Sequence, residues 1–137
     1  MFVKVGSYDT LGGIQYEIAK VIHPVGYLHG CRGCDLELIV LKENITFTDQ
    51  EHRAQIIDLS KEKPNVGQIC YVAGFGSIDA AGTVSPVLLM VTMTSISDDD
   101  CGAKQPDQTC FRSPTQSLAG GDSGSGYLCN NKLVVRF

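Results

Sequence analysis

Apolar and polar positions alternate along much of the chain, and the alternation predicts strands. Ile14, Tyr16, Ile18 and Ile22 fall at even spacing, with Gln15 and Glu17 between them. A repeat of two residues places such a set on one face of a half-buried strand. His23-Pro24-Val25-Gly26 ends it. Residues 36–41 form a short apolar run interrupted by Glu37, the length of a strand rather than a helix. Residues 68–72 lead into Gly74-Phe75-Gly76, a strand followed by a turn. Val87, Leu89, Val91 and Met93 alternate with Leu88, Met90, Thr92 and Thr94, so the second face of that strand passes from apolar to polar. Residues 127–129 and 132–137 read as a hairpin around Asn130-Asn131. The one helical pattern, over residues 49–56, has a thin apolar stripe. Short strands separated by Gly and Asn turns predict an all-β barrel or sandwich. The most polar stretch between strands, Lys61-Glu62-Lys63-Pro64-Asn65, is the expected connection between two sub-barrels.

The bulk numbers narrow the function classes. The 137 residues suit one ordinary domain, and 43% hydrophobic with 19% charged residues is a globular composition. The formal net charge of -4 gives no basic footprint for nucleic acid. No apolar run of about 18 residues predicts a membrane span. The acidic run Asp98-Asp99-Asp100 reads as a solvated turn.

Six cysteines, at 31, 34, 70, 101, 110 and 129, point to disulfides and an oxidising compartment. Zinc is the rival, but Cys31-Arg32-Gly33-Cys34 has no second close pair, so no metal site is expected. Asn44-Ile45-Thr46 is a glycosylation sequon, in keeping with export. The start, Met1-Phe2-Val3-Lys4-Val5-Gly6, has no features of a secretory leader. An exported protein without one implies residues before Met1.

The candidate chemistry lies in Gly121-Asp122-Ser123-Gly124-Ser125-Gly126. A serine bracketed by glycines suits a nucleophile on an exposed tight turn, where a substrate can approach the main chain. Serine alone is a poor nucleophile and requires a base and an orienting acid.

This hexapeptide resembles the nucleophile loop of the trypsin/chymotrypsin-like serine peptidases, usually Gly-Asp-Ser-Gly-Gly-Pro; four of the six positions match. Four further stretches resemble the family in its order. Asp35-Leu36-Glu37-Leu38-Ile39-Val40-Leu41 is similar to the segment carrying the triad aspartate. Ile69-Cys70-Tyr71-Val72-Ala73-Gly74-Phe75-Gly76 looks like the strand that opens the second barrel. Residues 88–101 resemble the strand leading to a cysteine-closed loop, and Cys110 precedes Asp122 at the family interval. The resemblance covers nearly the whole chain.

It implies a two-barrel trypsin-like fold that is incomplete. Residues 1–60 would be a remnant of the N-terminal barrel, 61–66 the connection, and 67–137 the C-terminal barrel without its last strands and helix. It implies peptide-bond hydrolysis with Ser123 as nucleophile and Asp35 as orienting acid. Backbone N–H groups of Gly121 and Ser123 would form the oxyanion hole, and Asp122 would pair with the amino terminus released on zymogen activation. Ser117 would lie at the base of the specificity pocket, where a neutral residue favours large apolar side chains. Cys70 would pair with Cys129 and Cys101 with Cys110, while the pairing of Cys31 and Cys34 stays open. The implied partner is a peptide or protein substrate, with no cofactor and a secreted location for the full-length form.

One part does not fit. The family's catalytic histidine stands upstream of the aspartate in an Ala-Ala-His-Cys context, and none of His23, His29 and His52 has that context. The chain alone is therefore expected to be inactive. The alternative is a non-catalytic protease homologue acting as a secreted binding module. A third reading, an unrelated cysteine-rich β binding module, requires the serine loop to be coincidental.

Overall fold

The structure is a computed structural model, and it describes residues 1–26, 36–47, 54–102 and 108–134. It divides into two compact units, Met1–Ile56 and Ile57–Phe137. Nearly all regular structure is β-strand, and among the described residues no helix is long and apolar enough to cross a membrane.

The first unit holds a three-stranded antiparallel sheet in the order β1 (Phe2–Val5), β2 (Ile14–Ile22), β3 (Leu38–Leu41). Along β2, Tyr16 is buried, Ile14 and Ile18 are half-buried, and Gln15 and Glu17 face solvent. The register between β2 and β3 shifts between Ile18 and Lys20. An irregularity of that kind moves the following residues to the other face. Val21 is accordingly half-buried, and Ile22, expected on the inner face, is 41% exposed. Glu17 and Lys42 form an ion pair beside the turn that follows β3, reinforced by a hydrogen bond from Lys42 N–H to Glu17 O. That contact lowers the Glu17 carboxyl and raises the Lys42 ammonium from their ordinary pKa values, first through the side-chain hydrogen bond and then through charge.

The second unit holds a six-stranded sheet made of β4 (Asp58–Leu59), β5 (Ile69–Gly74), β6 (Leu89–Ile96), β7 (Cys110–Arg112), β8 (Tyr127–Cys129) and β9 (Lys132–Val134). Their order is β4-β9-β8-β5-β6-β7, antiparallel except for the parallel pair β4 and β9. Residues Asp58 and Leu59 thus hydrogen-bond within the second sheet, ahead of the polar stretch at 61–66.

The core of this unit is built from alternate residues of its strands. Cys70 and Val72 on β5, Met93 and Ser95 on β6, Cys129 on β8 and Val134 on β9 are all buried. On the same strands, Ile69, Tyr71 and Met90 face outward. Phe111 and Tyr127 stack with ring centroids 3.8 Å apart and planes 8° from parallel, closing the core on one side. Burial raises the Tyr127 hydroxyl above its ordinary pKa. A disulfide joins Cys70 to Cys129 inside this core, with Cα atoms 4.5 Å apart, and a second joins Cys101 to Cys110.

Asn130 and Asn131 both have positive φ, 49° and 57°. Two successive left-handed residues make the tight turn whose twist matches a two-stranded ribbon, and Asn is among the few side chains that tolerate it. The acidic run is solvent-exposed, as a solvated turn should be, and takes the form of one helical turn, α1 (Asp98–Cys101). Ser97 caps it by accepting from Asp100 N–H, and Gly102, at φ 65°, ends it in the left-handed region. Of the helical pattern at residues 49–56, residues 49–53 lie outside the described residues and 54–56 are not helical.

Candidate functional site

The serine loop lies between β7 and β8 and consists of two consecutive turns. Asp122 N–H donates to Ala119 O at 3.1 Å, and Ser125 N–H donates to Asp122 O at 3.0 Å. Gly121 and Gly124 carry the positive φ values, 96° and 89°, that these turns require. A side chain at either position would strain the backbone. Ser123 stands between them, exposed to solvent.

The acid before the serine holds the loop to the segment that follows β5. Asp122 Oδ1 accepts from the Gly76 N–H at 2.9 Å, and its Oδ2 accepts from the Ala119 N–H at 3.0 Å. Hydrogen bonds from backbone N–H to a charged carboxylate are among the stronger ones. A Cβ on either Gly74 or Gly76 would overlap the Asp122 carboxyl group. The two glycines of the Gly-Phe-Gly segment thus leave the space that the acid occupies. Gly120 O accepts a second pair of bonds, from Ser77 N–H at 2.8 Å and Ser77 Oγ at 3.0 Å. At the end of the loop, Gly126 packs so closely on Leu133 that a Cβ would collide with its side chain.

Asp122 and Ser117 line one cavity of about 70 Å³, together with Val72, Val91, Ile78 and Leu118. The segment carrying Ser117 is tied to β6 by the Gln116 side-chain carbonyl, which accepts from Thr92 N–H at 3.2 Å. Ser117 itself is exposed. Chemically the site combines an exposed hydroxyl on a fixed turn with a carboxylate in a recess of mixed polar and apolar lining. Among the described residues, neither the Gly121 nor the Ser123 N–H donates to a protein acceptor.

The model of the family described as Trypsin matches residues 4–135. The chain belongs to the trypsin family. Serine protease 1 of Canis lupus familiaris is 28% identical over 143 aligned positions, covering 96% of this chain and 57% of that protein. Kallikrein-2 of Homo sapiens is 30% identical over 107 positions, covering 72% of this chain and 40% of that protein. The chain thus spans from well under half to just over half the length of these relatives. Among solved structures, mouse neuropsin, a serine protease, superposes with a TM-score of 0.84 at 21% identity, covering 96% of this chain and 63% of that one. Human heparin binding protein superposes at 0.76 and 22% identity, covering 93% and 58%. At these identities the superpositions establish a trypsin-like fold.

Within this trypsin-family chain, Ser123, Asp122, Gly121 and Ser117 fall in one part of the second unit. Asp35, expected as the orienting acid, lies outside the described residues, as do Cys31, Cys34, His29 and His52. His23 belongs to the first unit, where its Nδ1 lies 3.4 Å from Glu37 Oε2 at the surface. Residues that the sequence reading did not assign to the site are Gly74, Gly76, Ser77 and Ala119. The Gly-Phe-Gly segment was legible as a turn, but its partner lies 46 residues along the chain.

Proposed function

We propose that the chain carries the nucleophile half of a serine-type endopeptidase domain, with Ser123 as the attacking residue. The observation that carries this reading is the double hydrogen bond of Asp122 to Gly76 and Ala119, which fixes an exposed serine on a turn with two positive-φ glycines. In the reaction, Ser123 Oγ attacks the scissile carbonyl carbon while a base takes its proton. The carbonyl oxygen becomes an oxyanion, received by the N–H groups of Gly121 and Ser123, which have no acceptor among the described residues. Collapse expels the amine, which leaves with the proton from the base. Water then releases the acyl group from Ser123 by the same steps in reverse. Asp35 holds the base in its working tautomer.

Asp122 serves as the activation acid. A carboxylate has about four acceptor positions, and two are filled here by backbone N–H groups. The remainder can receive an ammonium group. Ser117, neutral beside that acid, favours large apolar side chains in a peptide substrate. Two disulfides support passage through an oxidising compartment and secretion.

The 137-residue polypeptide does not catalyse turnover alone, because none of its three histidines stands in the family's context for the base. Removing that base from a related triad costs on the order of 10⁶ in turnover. The same observation favours the second reading, a non-catalytic homologue that binds a partner. An active-site fluorophosphonate and a peptide-substrate panel test the proposal. The expected result is no hydrolysis above background and at most slow labelling, confined to Ser123. Rapid hydrolysis with Ser123 unlabelled would refute the assignment of the nucleophile, and rapid hydrolysis with Ser123 labelled would refute the predicted inactivity. Sequence upstream of Met1 separates the two readings, since an Ala-Ala-His-Cys segment there favours the enzyme.

A further inference from the structure

The segment after β3 carries the chain's one Asn-x-Thr sequence, Asn44-Ile45-Thr46. It is an irregular loop, as the modification requires. Asn44 and Thr46 are exposed, while Ile45 between them is half-buried. The central residue thus packs toward the protein and leaves its two neighbours on the solvent side. The loop is also anchored: Thr46 N–H donates to the hydroxyl of Tyr16 at 3.3 Å, and Tyr16 is the buried residue of the first sheet. On the opposite flank, the Lys42–Glu17 ion pair fixes the end of β3. The acceptor asparagine thereby lies between two residues, Lys42 and Thr46, that are each tied to β2.

We propose that Asn44 is an N-glycosylation site. The co-reactant is an oligosaccharide linked through diphosphate to a polyprenyl lipid in the lumen of the secretory pathway. The Asn44 side-chain nitrogen attacks the anomeric carbon of the first sugar. An N–C bond forms and the bond from that carbon to the phosphate oxygen breaks. The lipid diphosphate leaves with the bonding electrons, and one amide proton passes to a base of the transferase. Thr46 supplies the hydroxyl two residues on that the acceptor sequence requires. The inference rests on the secretory route proposed above, and its test must separate the two.

The full chain behind a cleavable secretion leader is expressed in a eukaryotic host, and cells and medium are pooled for analysis. A second version carries Asp9→Asn with Leu11→Thr, which creates a control acceptor at an exposed turn. Peptide N-glycosidase treatment in heavy-oxygen water converts each occupied asparagine to a labelled aspartate, read by peptide mass. The expected result is label at Asn44, lost in N44Q and T46A and retained in T46S. Label at the control site with Asn44 bare would overturn the inference and leave the secretory route standing. With neither site labelled, the chain does not reach the lumen, and both fail.

Discussion

The carboxylate of Asp122 and the backbone N–H of Gly76 meet at 2.9 Å across 46 residues of chain. This bond decides how the serine loop is held. Replacing Gly76 with Ala would drive a Cβ into the Asp122 carboxyl. The φ of Gly76 is not positive, so the cost comes from the collision alone. We expect G76A to lower stability by about 1–3 kcal/mol, the usual range for breaking a partly buried charged hydrogen bond. Denaturant titration measures the loss, and amide exchange should show it concentrated at residues 119–126. A G76A protein with wild-type stability and wild-type exchange in that loop would show that the bond does not hold it.

Asp122→Asn separates geometry from charge. The amide keeps one acceptor oxygen but loses the charge and brings an N–H₂ group against one of the two backbone donors. We expect D122N to be destabilised less than D122A, which leaves the N–H groups of Gly76 and Ala119 both unpaired. Equal melting temperatures for the two variants would mean that a single retained hydrogen bond contributes nothing.

The two disulfides differ in the loops they close. Cys70–Cys129 spans 59 residues and is buried, whereas Cys101–Cys110 spans 9 near the surface. On the chain-entropy account, closing the longer loop contributes roughly 4 kcal/mol and the shorter roughly 3 kcal/mol. Replacing the first pair with serine would also bury two hydroxyls in the core formed by Val134, Phe111 and Tyr127. The expected outcome is that C70S/C129S fails to give a cooperative urea transition while C101S/C110S retains one at lower midpoint. The opposite ranking would place the weight of the fold on the outer loop.

Much of this architecture was legible because it is written locally. Tyr16 between Gln15 and Glu17 announces its buried face through a two-residue repeat, whereas β5 is apolar throughout and does not itself say that Cys70 and Val72 turn inward. Asn130-Asn131 announces its turn. The serine loop is equally local, since glycine, acid and serine stand next to one another. The register shift near Ile18 was not legible, because nothing in Ile18-Ala19-Lys20 distinguishes a shifted register from a regular one. Asp58–Leu59 is too short for any periodicity to mark. The Asp122–Gly76 bond pairs residues whose proximity only the folded sheet creates. The α1 turn did carry a signal, for Ser97 followed three residues later by Asp100 is a helix-start pattern.

Asp79 organises the turn after β5 by a similar local device. Its Oδ1 accepts from Ala81 N–H at 2.9 Å and from Thr83 N–H at 3.0 Å. Hydrogen bonding to Thr83, side chain first and then backbone, lowers its pKa from the ordinary carboxylate value. A depressed pKa means that the ordered turn is favoured above the usual carboxylate range and is lost as pH falls through the lowered value. The amide resonances of Ala81 and Thr83 should therefore shift together below about pH 4 and not at neutral pH. D79N should abolish that titration.

Tyr127 gives the complementary alkaline test. Its ring is half-buried against Phe111, and burial penalises the phenolate. The folded state therefore holds the phenol proton more tightly than the unfolded chain does. Up to the ordinary tyrosine pKa of about 10 both states are protonated and stability is unaffected by this group. As pH rises beyond it, the unfolded chain ionises first, and stability falls until Tyr127 itself ionises in the fold. Ultraviolet titration of the folded protein should show a late-ionising tyrosine step. Y127F should remove that late step and flatten the decline of denaturation midpoint between pH values just below and above the tyrosine range. A late-ionising tyrosine that persists in Y127F would assign the shift elsewhere, and an unchanged alkaline slope would mean that the hydroxyl is hydrated in the fold.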